Sequence, residues 1–215
     1  MVLRNKIDHI VIAADSLEQG IESLQTSLGV TLPKASKHEA MSTHNCVAPV
    51  GNDSFLEILS IDPEVPAPTR ARWFDMDNPA AQARFKQAPC AYHWVVGTND
   101  LDTIIANSPI DMGEIVTFTR GDRSWRLNIP TDGSLAEEGL IPTFIEWSPG
   151  LHPSTGMTDL GLTLKKVILT HPNPSRLKEI LEILGVADLA TIVAGDKAAI
   201  AFQVSTQNGV EAVLE

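Results

Sequence analysis

The chain is short of cysteine. Cys46 and Cys90 are its two thiols among 215 residues, and they lack Cys-x-x-Cys spacing. A disulfide framework and a thioredoxin-like redox motif are therefore excluded, and two reduced, packed thiols in a cytoplasmic protein are expected. Basic charge is also scarce. Sixteen Lys and Arg stand against 27 Asp and Glu, for a net charge of −11, which argues against partners with phosphate backbones and against anionic membrane surfaces. No apolar run approaches the length of a membrane span. The start, Met1 to Lys6, has no apolar h-region or small-residue cleavage site, so no secretory signal is expected. Glycine-rich phosphate loops, Gly-x-Ser-x-Gly elbows and His-Glu-x-x-His helices are missing, which leaves nucleotide binding and serine or zinc-protease chemistry without support. What is present is ordinary globular material: 43% hydrophobic and 20% charged residues. That is enough for a core, and the length fits one or two domains.

The chain restarts the same plan three times. Residues 7–13, Ile-Asp-His-Ile-Val-Ile-Ala, read as a buried strand. Asp15 then caps a helix carrying Leu17, Ile21, Leu24 and Leu28, with Gly29 at its C-cap. A polar loop leads to a strand over residues 54–59. The proline-punctuated stretch from Asp62 to Pro89 reads as a connector or lid. The second unit has strands at 92–96, 113–118, 124–129 and 143–147, and a helix entry at Asn99 to Asp102. The third has a strand over 164–170, a helix over 174–184 and three more strands. The expected boundaries are 1–64, 65–89, 90–150 and 159–215, and no unit is basic. A spacing of roughly 60–85 residues is too long for a solenoid and reads as fused modules.

The first two units match in chemistry as well. Ile-Asp-His9-Ile-Val-Ile aligns with Ala-Tyr-His93-Trp-Val-Val, and Phe-Leu-Glu57-Ile-Leu with Phe-Ile-Glu146-Trp. A carboxylate inside an apolar strand is costly unless it is paired or metal-bound, and here it occurs twice, each time with a histidine partner. Two histidines and two carboxylates form an N2O2 set suited to a divalent metal ion such as Zn, Ni, Co, Mn or Fe. The alternative is two hydrogen-bonded His–Glu links on a sheet face.

These residues resemble the vicinal-oxygen-chelate superfamily, and within it the glyoxalase-like domain proteins. The resemblance rests on Leu3 to Leu17, on Lys37-His38 to Asn45, on Phe55-Leu56-Glu57-Ile58-Leu59, on Arg120 to Leu127 and on Leu140 to Trp147. It covers residues 3–155; the third unit shares only the outline, with Lys166 where His9 would stand. It implies an α+β fold of tandem βαβββ modules forming a curled mixed sheet around a shared cleft, plus a third βα-strands module. It also implies metal ligands His9, Glu57, His93 and Glu146. Glu57 and Glu146 would be catalytic, one of them shuttling a proton in an isomerase, epimerase or lyase step through a metal-stabilised enediolate.

Substrate contacts are expected from His38, His44 and Asn45, which sit in the polar loop, and from Arg126 among the three arginines around Trp125. The competing reading is two solvent histidines and cross-strand salt bridges. Trp73, Trp94 and Trp147 read as core or module-interface aromatics. His152 reads as a surface residue, and His171 as part of a turn. The expected partner is a small-molecule substrate with vicinal oxygens, with no nucleic acid and no membrane. Both ligand-bearing modules lie on one chain, so monomer and homodimer both stay open. The rival to an enzyme is a small-molecule binding or sequestering protein of the same fold.

Overall fold

The computed structural model describes residues 4–33, 36–51, 53–150 and 152–215. Strand β1 (Lys6–Ala13) is followed by helix α1 (Leu17–Leu28). Ser16, not Asp15, caps the helix. Its Oγ accepts the Gln19 N–H at 3.2 Å, while Gln19 Oε1 reaches back to the Asp15 N–H at 3.1 Å. The helix ends at Gly29, whose φ of 70° is the left-handed conformation that a C-cap needs. Inside the helix Gly20 lets α1 sit down on the sheet, since a Cβ there would lie 2.4 Å from Ile58 Cγ2.

The polar stretch before residue 55 is not a loop. It holds β2 (Ser36–His38) and β3 (Thr43–Pro49), and β4 (Phe55–Ile61) follows. A short 3-10 turn (Trp73–Asp75) and helix α2 (Pro79–Gln87) occupy the connector. The next elements are β5 (Cys90–Gly97), α3 (Leu101–Asn107), β6 (Glu114–Arg120), β7 (Arg123–Ile129) and β8 (Thr143–Trp147). These eight strands form one curled mixed sheet in the order β2-β3-β4-β1-β5-β8-β7-β6. The opening strand of each half pairs in parallel with the closing strand, β1 with β4 and β5 with β8, and the halves join through antiparallel β1 and β5.

The remainder, β9 (Leu162–His171), α4 (Pro174–Ile183), β10 (Thr191–Ala194), β11 (Ala199–Thr206) and β12 (Glu211–Leu214), makes a second sheet in the order β10-β9-β11-β12. Here the opening strand pairs in parallel with the first strand after the helix, not the last. The third unit therefore repeats the plan of the others with a different topology.

Strand alternation gives the large sheet two apolar faces. On one, Ile10, Ile12, Leu56, Ile58, Trp94 and Phe144 share a core with α1, α4 and the second sheet through Val167, Phe202 and Val204. On the other, Val11, Leu59, Val95, Leu127 and Ile145 pack with Trp73, Phe74 and Trp125. The site lies on that second face. No described helix is long and apolar enough to cross a membrane.

Candidate active site

The centre of the site is an interruption in β1. The β1–β5 register runs Ile7 to Val96 and then His9 to Val95, which leaves Asp8 as an extra, bulged residue. The bulge brings Asp8 and His9, neighbours in sequence, into contact: Asp8 Oδ1 lies 2.7 Å from His9 Nδ1. Gly97 makes the room, since a Cβ there would come within 3.3 Å of Asp8 Oδ2. The carboxylate is fully buried. Its Oδ2 also accepts from Trp147 Nε1 at 2.8 Å and lies 3.0 Å from His152 Nε2. Burial alone would raise the Asp8 pKa, but hydrogen bonds from His152 and His9, and their charges, outweigh it and hold the group well below the usual carboxylate range.

With Nδ1–H given to Asp8, His9 turns Nε2 toward Glu57, 3.6 Å from Oε2, and its ring stacks on Phe55 at 4.6 Å. Glu57 is buried mid-strand on β4. Asn45 Nδ2 donates to Glu57 Oε1 and also lies 3.0 Å from His38 Nε2, which is itself 3.9 Å from that carboxylate. Burial pushes the Glu57 carboxyl up, against the charge of His9 and the Asn45 hydrogen bond. Burial lowers His38 to about 3, with Arg120 and His9 adding to the shift, so its imidazole is neutral.

Above these groups is a cavity of about 70 Å³, walled by Trp73, Phe74, Trp125, Leu127, Ile145 and Trp147. Pro153 and Met157 close one side. An outer chamber of about 430 Å³ shares His38, Trp73, Arg120 and Trp125 with it. Phe74 is held at φ 56°, a strained value for a side-chain-bearing residue, and its ring lies 4.8 Å from that of His93.

Of the expected substrate contacts, His38 and Asn45 reach this cavity. His44 points to the other face, into a cleft of about 690 Å³ beside the start of α1. Arg126 was expected at the cleft by alternation from Trp125, and this is corrected. Trp125 and Leu127 face the cavity, while Arg126 turns away to Asp102 at 2.7 Å and Glu146 at 2.8 Å. Arg120 is the arginine that lines the cavity. Trp73, Trp147 and His152, expected in the core or at the surface, all belong to the site. Trp94 is a core residue as expected.

The expected metal quartet is not assembled. His93 uses both ring nitrogens within its own half: Nδ1 lies 3.1 Å from the Gly139 carbonyl, and Nε2 accepts from the Thr143 N–H at 3.2 Å and lies 3.0 Å from its hydroxyl. Its burial lowers the pKa to about 3, opposed by the Gly139 hydrogen bond, so it is a neutral, satisfied core histidine. Glu146 is on the opposite face from Glu57, where Oε2 accepts the Leu101 N–H at 2.9 Å and anchors the start of α3.

The reason is register. His9 pairs with Val95 across the seam, and with Phe55 in parallel; Val95 in turn pairs with Thr143. Two residues beyond those partners stand Glu57 and Ile145. The structural counterparts of His9 and Glu57 are therefore Val95 and Ile145, one a two-residue and the other a one-residue offset from the sequence match. A one-residue offset reverses the face. The donor set does not fit the expected four-ligand ion, and no cluster of three or more His, Cys, Asp or Glu suited to a metal occurs among the described residues.

Comparison with known proteins fits this architecture. The family model described as the glyoxalase-like domain matches residues 7–185. The chain belongs to the glyoxalase-like domain family. Its fold is that of the vicinal-oxygen-chelate proteins. No curated protein matches this glyoxalase-like chain in sequence. Among solved structures it is similar to a hypothetical protein from Staphylococcus aureus, with a TM-score of 0.58 and 16% identity over 99% of this chain and 86% of that one. That likeness spans all three units of the glyoxalase-like chain and concerns the fold. Two methylmalonyl-CoA epimerases also match. The one from Mycobacterium tuberculosis has a TM-score of 0.42 and 15% identity over 70% of this chain and 92% of that one. The one from Streptomyces coelicolor has 0.42 and 18% over 68% and 98%.

Proposed function

We propose that this protein is an enzyme that moves a proton at a carbon next to a carbonyl of a small substrate, an isomerase, epimerase or lyase step. The observation that carries the reading is the Asp8–His9–Glu57 chain at the floor of an aromatic cavity. A buried carboxyl whose pKa is raised is a stronger base when ionised than an exposed one, which suits it to carbon acids. Glu57 takes the proton. His9, with its Nδ1–H given to Asp8, presents Nε2 to Glu57 at 3.6 Å as the acceptor that can relay this proton. Asp8 fixes the tautomer and orientation of His9, a positioning role. A divalent ion would find only His9 and Glu57 of the expected ligands, so no step is routed through one. The step belongs to the first half of the sheet, with Ile145 in the cavity wall and Val95 buried in the core of the same face where a second pair of ligands was expected.

The test is solvent-deuterium incorporation, followed by NMR, across a panel of 2-oxo acids and hemithioacetals. Wild type is expected to exchange at least one of them. Glu57→Gln should slow exchange by about 10²–10⁴-fold. Absence of exchange throughout the panel, with ligand binding intact, would favour the second reading, a sequestering protein. The apolar Val95 and Ile145 support that alternative, since they leave half of the symmetric site without chemistry.

A further inference from the structure

The walls of the cavity leave two donors without acceptors. Arg120, at the end of β6, lies with its Cζ 5.8 Å from the centre of the Trp125 ring; its charge acts on Glu57, but no carboxylate among the described residues is in ion-pair contact with it. Trp73 Nε1 is buried with no hydrogen-bond partner. Both residues line the inner and the outer chamber. A buried indole N–H left unpaired costs stability, and native folds rarely keep one without a use. Lys37, the other cation of the outer chamber, is already taken by Asp62 at 2.9 Å and Glu64 at 2.8 Å. One free guanidinium and one neutral donor match a singly charged group better than a phosphate dianion. Flat apolar walls come from the aromatics, with Phe118 joining Trp73 and Trp125 in the outer chamber, where Glu39 and Thr119 also line the rim.

We propose that the ligand of this site, reaching from the inner cavity into the outer chamber, is a small monocarboxylate with an apolar, aromatic-compatible body, its carboxylate bound by Arg120 and the Trp73 indole N–H. The inference rests on the site described above and names its substrate class. Guanidinium is the side chain best shaped for a carboxylate, and the flat walls suit a ring or a short branched chain. The net charge of the chain would otherwise repel an anion, so the guanidinium of Arg120 at the mouth of the cavity sets the selectivity.

The experiment is isothermal titration calorimetry with two probes of one shape, 3-phenylpropionate and its neutral amide. Wild type should bind the carboxylate about tenfold or more tightly than the amide. Arg120→Ala should abolish that preference and leave the amide Kd unchanged. Trp73→Phe, which keeps the ring and removes the N–H, should reduce the preference severalfold. Glu57→Gln should retain it. Equal affinities in wild type, a preference that survives Arg120→Ala, an Arg120→Ala variant that weakens both probes alike, or no carboxylate binding at millimolar concentration each overturn the proposal. If the preference holds and no 2-oxo acid exchanges deuterium, the catalytic reading fails and the ligand class stands.

Discussion

Replacing Asp8 with Asn tests whether one buried carboxylate organises the site. The side chain keeps its shape and loses its charge. Wild-type Asp8 accepts from Trp147 at 2.8 Å and meets His9 at 2.7 Å and His152 at 3.0 Å. An amide has one acceptor oxygen. If that oxygen serves Trp147 and His152, the NH2 faces His9 Nδ1 and forces the opposite tautomer, so that Nε2–H points at Glu57. Hydrogen bonds to a charged group contribute about 1.5–3 kcal/mol each. Losing one of the three should lower the melting temperature by roughly 3–12 °C, at about 2–4 °C per kcal/mol for a chain of this size.

The pH dependence carries a sign. Because the folded state depresses the Asp8 pKa, its contribution is complete above the unfolded value of about 3.9. It is lost as pH falls below that value toward the folded one. The gap in melting temperature between wild type and Asp8→Asn, followed by circular dichroism, should therefore be widest near neutral pH and narrow in acid. Nitrogen-15 NMR of His9 should report the exchanged tautomer, and proton transfer should fall by up to about 10⁴-fold, the scale seen when a catalytic histidine is held in the wrong tautomer. A variant that melts with wild type at all pH values, with the His9 tautomer unchanged, would refute the reasoning.

Other substitutions separate site from scaffold. Glu57→Gln is expected to raise the melting temperature at neutral pH while it slows proton transfer by about 10²–10⁴-fold. The raised pKa means that the ionised carboxylate costs stability there, a cost that disappears as pH falls through the folded value. Thermal melts from neutral to acid pH should show the advantage shrinking. Gly20→Ala should destabilise by about 1–2 kcal/mol in urea titrations, because overpacking against Ile58 at 2.4 Å outweighs the gain in helix propensity. Arg126→Ala should leave the affinity for 3-phenylpropionate unchanged in calorimetry, since its partners Asp102 and Glu146 lie on the far face; a tenfold loss would contradict the assignment of faces. His93→Ala should lower the denaturant midpoint by leaving the Gly139 and Thr143 groups unpaired, yet leave any metal uptake by the protein as in wild type.

Most of the fold is written in the spacing of apolar residues. Ile10, Leu24, Ile58 and Phe144 recur at strand and helix periods, and the elements that carry them lie close to where the periods place them. Strands β2 and β3 were hidden because their cavity-facing positions, Asn45 among them, are polar for the sake of the site and break the alternation. His9, Glu57, His38 and Asn45 could be read from the sequence because each is a polar residue in or beside an apolar strand. His93 and Glu146 satisfy the same criterion and do something else. A histidine with two local partners and a carboxylate that anchors a helix look the same in sequence as metal ligands. Only the register across the β1–β5 seam separates them. Asp8 was overlooked for a related reason: a bulge has no sequence period, and without it Asp8 would point to the opposite face from His9. Arg120 was passed over for Arg126, where the face had been assigned from Trp125 in the wrong sense.

The cavity is built from two kinds of chain. Its floor is a continuous ladder of eight strands, in which moving any side chain means shifting its neighbours. Its cover is made of connections: Trp73 and Phe74 come from the segment between the first two units, and His152, Pro153 and Met157 from the segment leading to the third. The space over the floor is thus shaped jointly by these two connections and by the β6–β7 hairpin that carries Arg120 and Trp125. Exchanging either connection would reshape the room above the Asp8–His9–Glu57 floor without redesigning a single strand pairing.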